Sequence, residues 1–127
     1  MATRCLIGYQ DGNVIRSAYC HWDGYPENVG KLLINHWNTL DNVKQLLSGG
    51  DMSSLSKDYT TVDFYTKRGE ERKPNIESAD LNKYLEYARG YGCNFAYLFD
   101  EGEWKFFEVC FSEDEAFELK LVKDVLG

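Results

Sequence analysis

Arg4-Cys5-Leu6-Ile7-Gly8-Tyr9-Gln10-Asp11-Gly12-Asn13-Val14-Ile15-Arg16-Ser17-Ala18-Tyr19-Cys20 decides the fold class. Two strand-forming runs, Arg4–Gln10 and Val14–Cys20, flank Asp-Gly-Asn, and Asp-Gly between such runs is a strong short-range hairpin signal. With Asp11-Gly12 as the turn, Cys5 faces Ala18 and Cys20 faces Thr3, so the two thiols are not direct partners.

Downstream the apolar period changes from two to about 3.6. Val29, Leu32, Leu33, His36, Trp37 and Leu40 recur at helical spacing, and Pro26 suits a first helical turn. A second short helix, about Leu40 to Leu47, stops at Ser48-Gly49-Gly50. Between positions 51 and 75 the signals weaken, with a turn at Asp51–Leu55, a short strand within Thr60–Tyr65 and a charged loop over Lys67–Pro74. Ser78–Arg89 reads as a third helix, with Leu81, Tyr84, Leu85 and Ala88 inward.

A second hairpin follows, Asn94–Phe99 and Trp104–Cys110 around Asp100–Glu103. A turn at Glu101-Gly102 sets Cys93 opposite Cys110. The tail from Glu115 to Leu126 has the pattern of an edge strand followed by a helical turn. The expected architecture is one α+β domain over 1–127: an antiparallel sheet of four or five strands built from two hairpins, with two or three helices mainly on one face.

A chain of 127 residues buries roughly 65% of the surface its unfolded form exposes, enough for a core without a metal or disulfide staple. The composition, 43% hydrophobic and 15% aromatic, excludes intrinsic disorder despite a net charge of -7. Residues 97–127 alone hold nine acidic and three basic side chains. Such a segment repels phosphate backbones, which argues against direct nucleic-acid binding, and it suits a basic partner surface or plain solubility. There is no apolar run of about 18 residues and no secretory leader, so a cytoplasmic protein with reduced thiols is expected, with no membrane contact. Cys5, Cys20, Cys93 and Cys110 form no short-spaced pair, and neither a zinc site nor any cofactor is expected.

The densest polar and aromatic cluster is Cys20-His21-Trp22-Asp23-Gly24-Tyr25-Pro26, between a strand and a helix. His21 is a candidate for proton transfer, Asp23 is placed to orient it or to cap a turn, and Trp22 and Tyr25 offer flat surfaces with polar edges. The same residues also make sense as a turn, Asp23-Gly24, packed over the sheet edge. His36 joins His21 and Asp23 in an acid–base or metal site only if the first helix folds back over the loop. No metalloprotease, phosphate-loop or nucleophile-elbow motif accompanies them.

The opening Met1–Ile7, the stretch Tyr19–Pro26, Gly30-Lys31-Leu32-Leu33 and Gly49–Leu55 together resemble a family of small proteins encoded by bacterial viruses and integrated prophages. The resemblance covers about the first 55 residues. It implies expression in the cytoplasm of a bacterial host. The family carries no assigned reaction, so no catalytic role transfers to any residue.

Three functions fit these features. The first is a binding or inhibitory protein acting on a host protein, or self-associating, through Trp104, Phe106 and Phe107 with Glu113, Asp114 and Glu115. The second is a binder of a small nucleotide-like ligand at His21, Trp22, Asp23 and Tyr25. The third is a hydrolase or nuclease using His21, Asp23 and His36. The balance of features favours a binding role over an enzymatic one.

Overall fold

The computed structural model describes residues 2–109 and the backbone of 119–121. The first hairpin forms as β1 (Cys5–Asp11) and β2 (Val14–Cys20). Its turn is Gly12-Asn13, one residue later than the Asp-Gly signal suggests, with Gly12 at φ +59°. That displacement moves the register by two, which preserves the faces but sets Cys5 directly opposite Cys20, correcting the expected pairing of Cys5 with Ala18.

After β2 a π-helical turn, Pro26–Gly30, runs into α1 (Lys31–His36). Thr39 Oγ1 then accepts from the Asn42 amide to start α2 (Leu40–Ser48), an ordinary N-cap. Short β3 (Met52–Ser54) and β4 (Asp63–Phe64) lead into a 3₁₀ turn, Tyr65–Arg68, and to β5 (Ile76–Ser78). Asp80 caps α3 (Leu81–Gly90) by accepting from the Lys83 amide. The second hairpin, β6 (Phe95–Asp100) with β7 (Glu103–Glu108), has the expected register, Phe95 facing Glu108 and Asp100 facing Glu103. The last described strand, β8 (Leu119–Leu121), lies antiparallel to β7. Cys110 and the acidic residues Glu113, Asp114 and Glu115 lie outside the described residues.

These strands make one mixed sheet of eight, ordered β4-β3-β2-β1-β6-β7-β8, with β5 also paired to β2. This overturns the four- or five-stranded antiparallel sheet read from the sequence. The two hairpins are joined by a parallel pairing, β1 with β6, that matches Cys5 to Phe95 and Tyr9 to Phe99. The outer edge of β2 is shared. β3 pairs with it in parallel at Cys20, and β5 antiparallel from Ile15 to Ser17.

The helices also occupy both faces, not mainly one. Ile7, Ala18, Tyr97 and Phe106 bury against Val29 and Leu33 on one side and against Val43 and Leu46 of α2. Leu6, Ile15, Ala96 and Phe107 bury against Tyr84, Leu85 and Ala88 of α3 on the other. The physical sign is in β1 itself, where five consecutive residues, Cys5 to Tyr9, are buried. A strand buried on both faces gives up the in–out alternation of a one-sided sheet. The aromatics of β7 follow the same logic. Trp104 and Phe106 point into the first core and Phe107 into the second, so they are core residues and not the exposed anchors expected from the sequence. No helix among the described residues is long and apolar enough to cross a membrane.

Candidate functional site

The loop after β2 is held from both sides. His21 and Trp22 amides donate to the Met52 and Ser53 carbonyls, at 3.1 and 2.9 Å, so the chain continues alongside β3 before turning. At the turn Asp23 adopts a left-handed conformation, φ 55°, which aspartate tolerates better than most residues. Gly24 is then clamped, its amide donating to the Thr3 carbonyl at 2.8 Å and its carbonyl accepting from the buried Tyr97 hydroxyl at 2.8 Å. A side chain here has no room, since a Cβ would lie 3.0 Å from Cys5 Sγ. Replacing Tyr97 with Phe keeps the ring and removes the donor from a buried carbonyl. The expected cost is about 1 kcal/mol, read by urea denaturation, with faster amide exchange at Gly24 as the local signature. Unchanged exchange would show that the loop is held without this bond.

His21 does not meet the partners expected of it. Its Nδ1 shares a 2.7 Å hydrogen bond with the Tyr19 hydroxyl, and its ring lies edge-on to Trp22 with centroids 4.8 Å apart. Asp23 is exposed, and it is its carbonyl that is engaged, accepting from Asn28 at 3.2 Å. His36 is exposed at the far end of α1. The next residue, Trp37, accepts from Trp104 Nε1 beside the Phe99 end of the sheet, whereas His21 follows Cys20 at the Cys5 end. Cys5 and Tyr9 are four residue rises apart along β1, roughly 13 Å, so the two histidines occupy opposite ends of the sheet. The shared site of His21, Asp23 and His36 is not formed. Among the described residues no group of three or more His, Cys, Asp and Glu side chains is placed to hold a metal ion.

Trp22 and Tyr25 remain at the surface but part company. Tyr25 borders a hollow with Thr3, Asn94 and Phe95, on a different flank from Tyr19 and His21. The feature that does gather chemistry lies beside Tyr19. A cleft of about 280 Å³ opens between the end of β2, the segment from Tyr65 to Lys73 and the residue just beyond α3, Tyr91. Three tyrosines line it, Tyr19, Tyr65 and Tyr91, with Tyr19 and Tyr91 ring centroids 6.1 Å apart. Through Tyr19 the aromatic surface continues to His21 and Trp22.

Asp51 ties the cleft together. Its carboxylate accepts from the Tyr19 amide at 3.0 Å while its carbonyl accepts from the Tyr65 amide at 3.2 Å. Burial pushes the Tyr19 hydroxyl up to about 12, opposed in part by the Arg4 guanidinium, so it stays protonated as a neutral hydrogen-bonding group at physiological pH. No family model, curated protein or solved structure matches the chain.

The described thiols do not line the cleft. Cys5, Cys20 and Cys93 are reduced and fully buried, and burial raises Cys5 well above its usual range and Cys93 to about 12. Tyr65, Arg72, Lys73 and Tyr91 were not among the residues singled out from the sequence. They become neighbours of Tyr19 through long-range pairing: Asp51 and the β2-β3-β4 ladder bring in Tyr65, and β5 returns to β2 between the segments that carry Arg72, Lys73 and Tyr91.

Proposed function

We propose that the chain is a binding protein for a small ring-bearing polar molecule, seated in the cleft of Tyr19, Tyr65 and Tyr91. The observation that carries this reading is the convergence of three tyrosines from three separate parts of the chain on one concave space also lined by Asp51, Arg72 and Lys73. The lining combines aromatic faces with polar groups, the two kinds of contact that small-molecule sites use. Tyrosine supplies a flat face for a ring and a hydroxyl to orient it. The ligand-binding expectation thus moves from the full His21–Tyr25 loop to the Tyr19 side of it, with His21 supporting Tyr19.

The alternative of a host-protein inhibitor loses its aromatic anchors, because Trp104 and Phe106 are in the core. A hydrolase lacks the assembled acid–base group that His21, Asp23 and His36 were to supply.

The test is a nuclear magnetic resonance titration with ring-bearing probes, including adenosine, 4-hydroxybenzoate and L-phenylalanine, following the tyrosine ring signals. At least one probe should shift Tyr19 and Tyr91 saturably. Tyr91→Ala, at a side chain that is 48% exposed and so safe to remove, should weaken that probe by about tenfold. Shifts confined to other surfaces, or an affinity indifferent to Tyr91→Ala, would overturn the assignment.

A further inference from the structure

The cleft is lined by charges of both signs, three acids and two bases. Glu70, Glu71, Arg72 and Lys73 follow one another along one wall, and none of the four joins an ion pair among the described residues. Asp51, the remaining acid, already accepts from the Tyr19 amide.

Arg72 differs from an ordinary surface arginine. Its Nε donates to the Ser48 carbonyl at 2.6 Å, and its stem passes over Gly50 so closely that a Cβ there would lie 3.2 Å from Cγ. The guanidinium is thereby fixed by one nitrogen with its two terminal nitrogens left over. A planar donor pair held this way matches a carboxylate.

Charge and size together select a ligand class. A purely anionic ligand would find Arg72 and Lys73 but would sit against Glu70 and Glu71, and a purely cationic one would meet the reverse. A molecule carrying both charges close together satisfies both pairs. At about 280 Å³ the space lies just below the usual range of ligand pockets, which begins near 300 Å³, and so suits one ring with a short polar arm.

Resting on the binding role above, we propose that the ligand is a zwitterion of the free aromatic amino-acid type. Its ring lies among Tyr19, Tyr65 and Tyr91, its carboxylate on Arg72 and Lys73, and its ammonium against Glu70 and Glu71.

Three probes sharing a phenyl ring and a short arm separate the contributions: L-phenylalanine with both charges, 3-phenylpropionate with the carboxylate alone, and 2-phenylethylamine with the ammonium alone. Titration calorimetry should show L-phenylalanine binding about tenfold or more tighter than either analogue. Arg72→Gln should lose that advantage over 2-phenylethylamine. The double variant Glu70→Gln with Glu71→Gln should lose it over 3-phenylpropionate, with circular dichroism confirming that each variant is folded. Equal binding of 3-phenylpropionate and L-phenylalanine would reduce the site to an anion site and overturn the zwitterion. Equal binding of 2-phenylethylamine would overturn it in favour of an aromatic cation cage. If all three fail while adenosine still shifts Tyr19 and Tyr91, the ligand class is wrong and the binding cleft stands. If no ring probe reaches the cleft, both readings fall.

Discussion

Gly49→Ala should destabilise the protein by about 2–3 kcal/mol and weaken ligand binding at a cleft that Gly49 does not line. Gly49 ends α2 with φ -76° and ψ -12°, a conformation alanine adopts freely, so the effect is purely steric. A Cβ at this position would lie 2.4 Å from two ring carbons of Phe64, a side chain only 2% exposed in the first core. The ring has nowhere to retreat, because Tyr59 packs on it at 5.2 Å between centroids and β4 pairs Phe64 with Met52. Either the ring or the end of α2 must move. Phe64 is followed directly by Tyr65, which lines the cleft, and Ser48 beside Gly49 holds Arg72 by its carbonyl. Displacement on either side therefore reaches the cleft wall. Urea denaturation would measure the stability change and probe titration the affinity. Ser48→Ala is the control: its exposed hydroxyl bonds only the Gln45 carbonyl, and the carbonyl that holds Arg72 is retained. A Gly49→Ala protein within about 0.5 kcal/mol of the parent would mean that Phe64 repacks without strain.

The contrast between what was legible in the sequence and what was not follows the range of the interactions. Hairpins announce themselves locally, and so Asn94–Glu108 was readable down to its register. The first hairpin was readable except for one turn residue, because Asp11-Gly12 and Gly12-Asn13 are both good turn pairs and nothing local chooses between them. Helices also declare themselves through apolar spacing, although the π-helical turn at Pro26–Gly30 shifted the phase. Val29, Leu33 and Trp37 are the buried residues, while His36 and Leu40 face outward. The parallel match of Cys5 with Phe95 has no local signature. Its trace was the unbroken burial of β1, which a hairpin signal alone does not interpret.

The candidate site was legible only in part for the same reason. His21 and Trp22 stand out by type, and they do border the aromatic surface. Tyr19 reads as one more strand residue, Tyr91 as a residue past a helix end, and Arg72 and Lys73 as a solvated charge run. Nothing in their spacing indicates that Asp51 and two short strands, β3 and β5, pairing with β2 bring them together. Side chains with catalytic potential declare themselves by type, whereas a tyrosine contributes a surface whose meaning depends on what faces it.

Raising the pH above about 10 should unfold the protein cooperatively, through tyrosines that cannot ionise in place. Burial raises Tyr84 and Tyr97 well above the usual phenol range, and nearby thiols raise them further. Tyr84 donates to the Tyr97 carbonyl at 2.5 Å, and Tyr97 in turn donates to Gly24, so each hydroxyl needs its proton for its bond. The sign follows from proton counting. Above the unfolded-state value of about 10 the unfolded chain has released these protons and the folded chain has not, so unfolding releases protons and stability falls with pH. The stability these two groups contribute is fully present below about pH 10. It is lost as pH climbs towards their raised folded values, at up to about 1.4 kcal/mol per pH unit for each. Two such groups would remove a typical stability of 5–15 kcal/mol within roughly two to five pH units, and the partly buried Tyr19, raised to about 12, acts in the same direction. Tyrosinate absorbance and far-ultraviolet circular dichroism, followed together against pH, decide the matter. The last tyrosinate absorbance should appear only as the dichroism collapses, and Tyr97→Phe should make the alkaline loss of stability shallower. Complete tyrosine ionisation in a protein with native dichroism would mean that the Tyr84 and Tyr97 hydroxyls, each bonded to its own backbone carbonyl, are open to water.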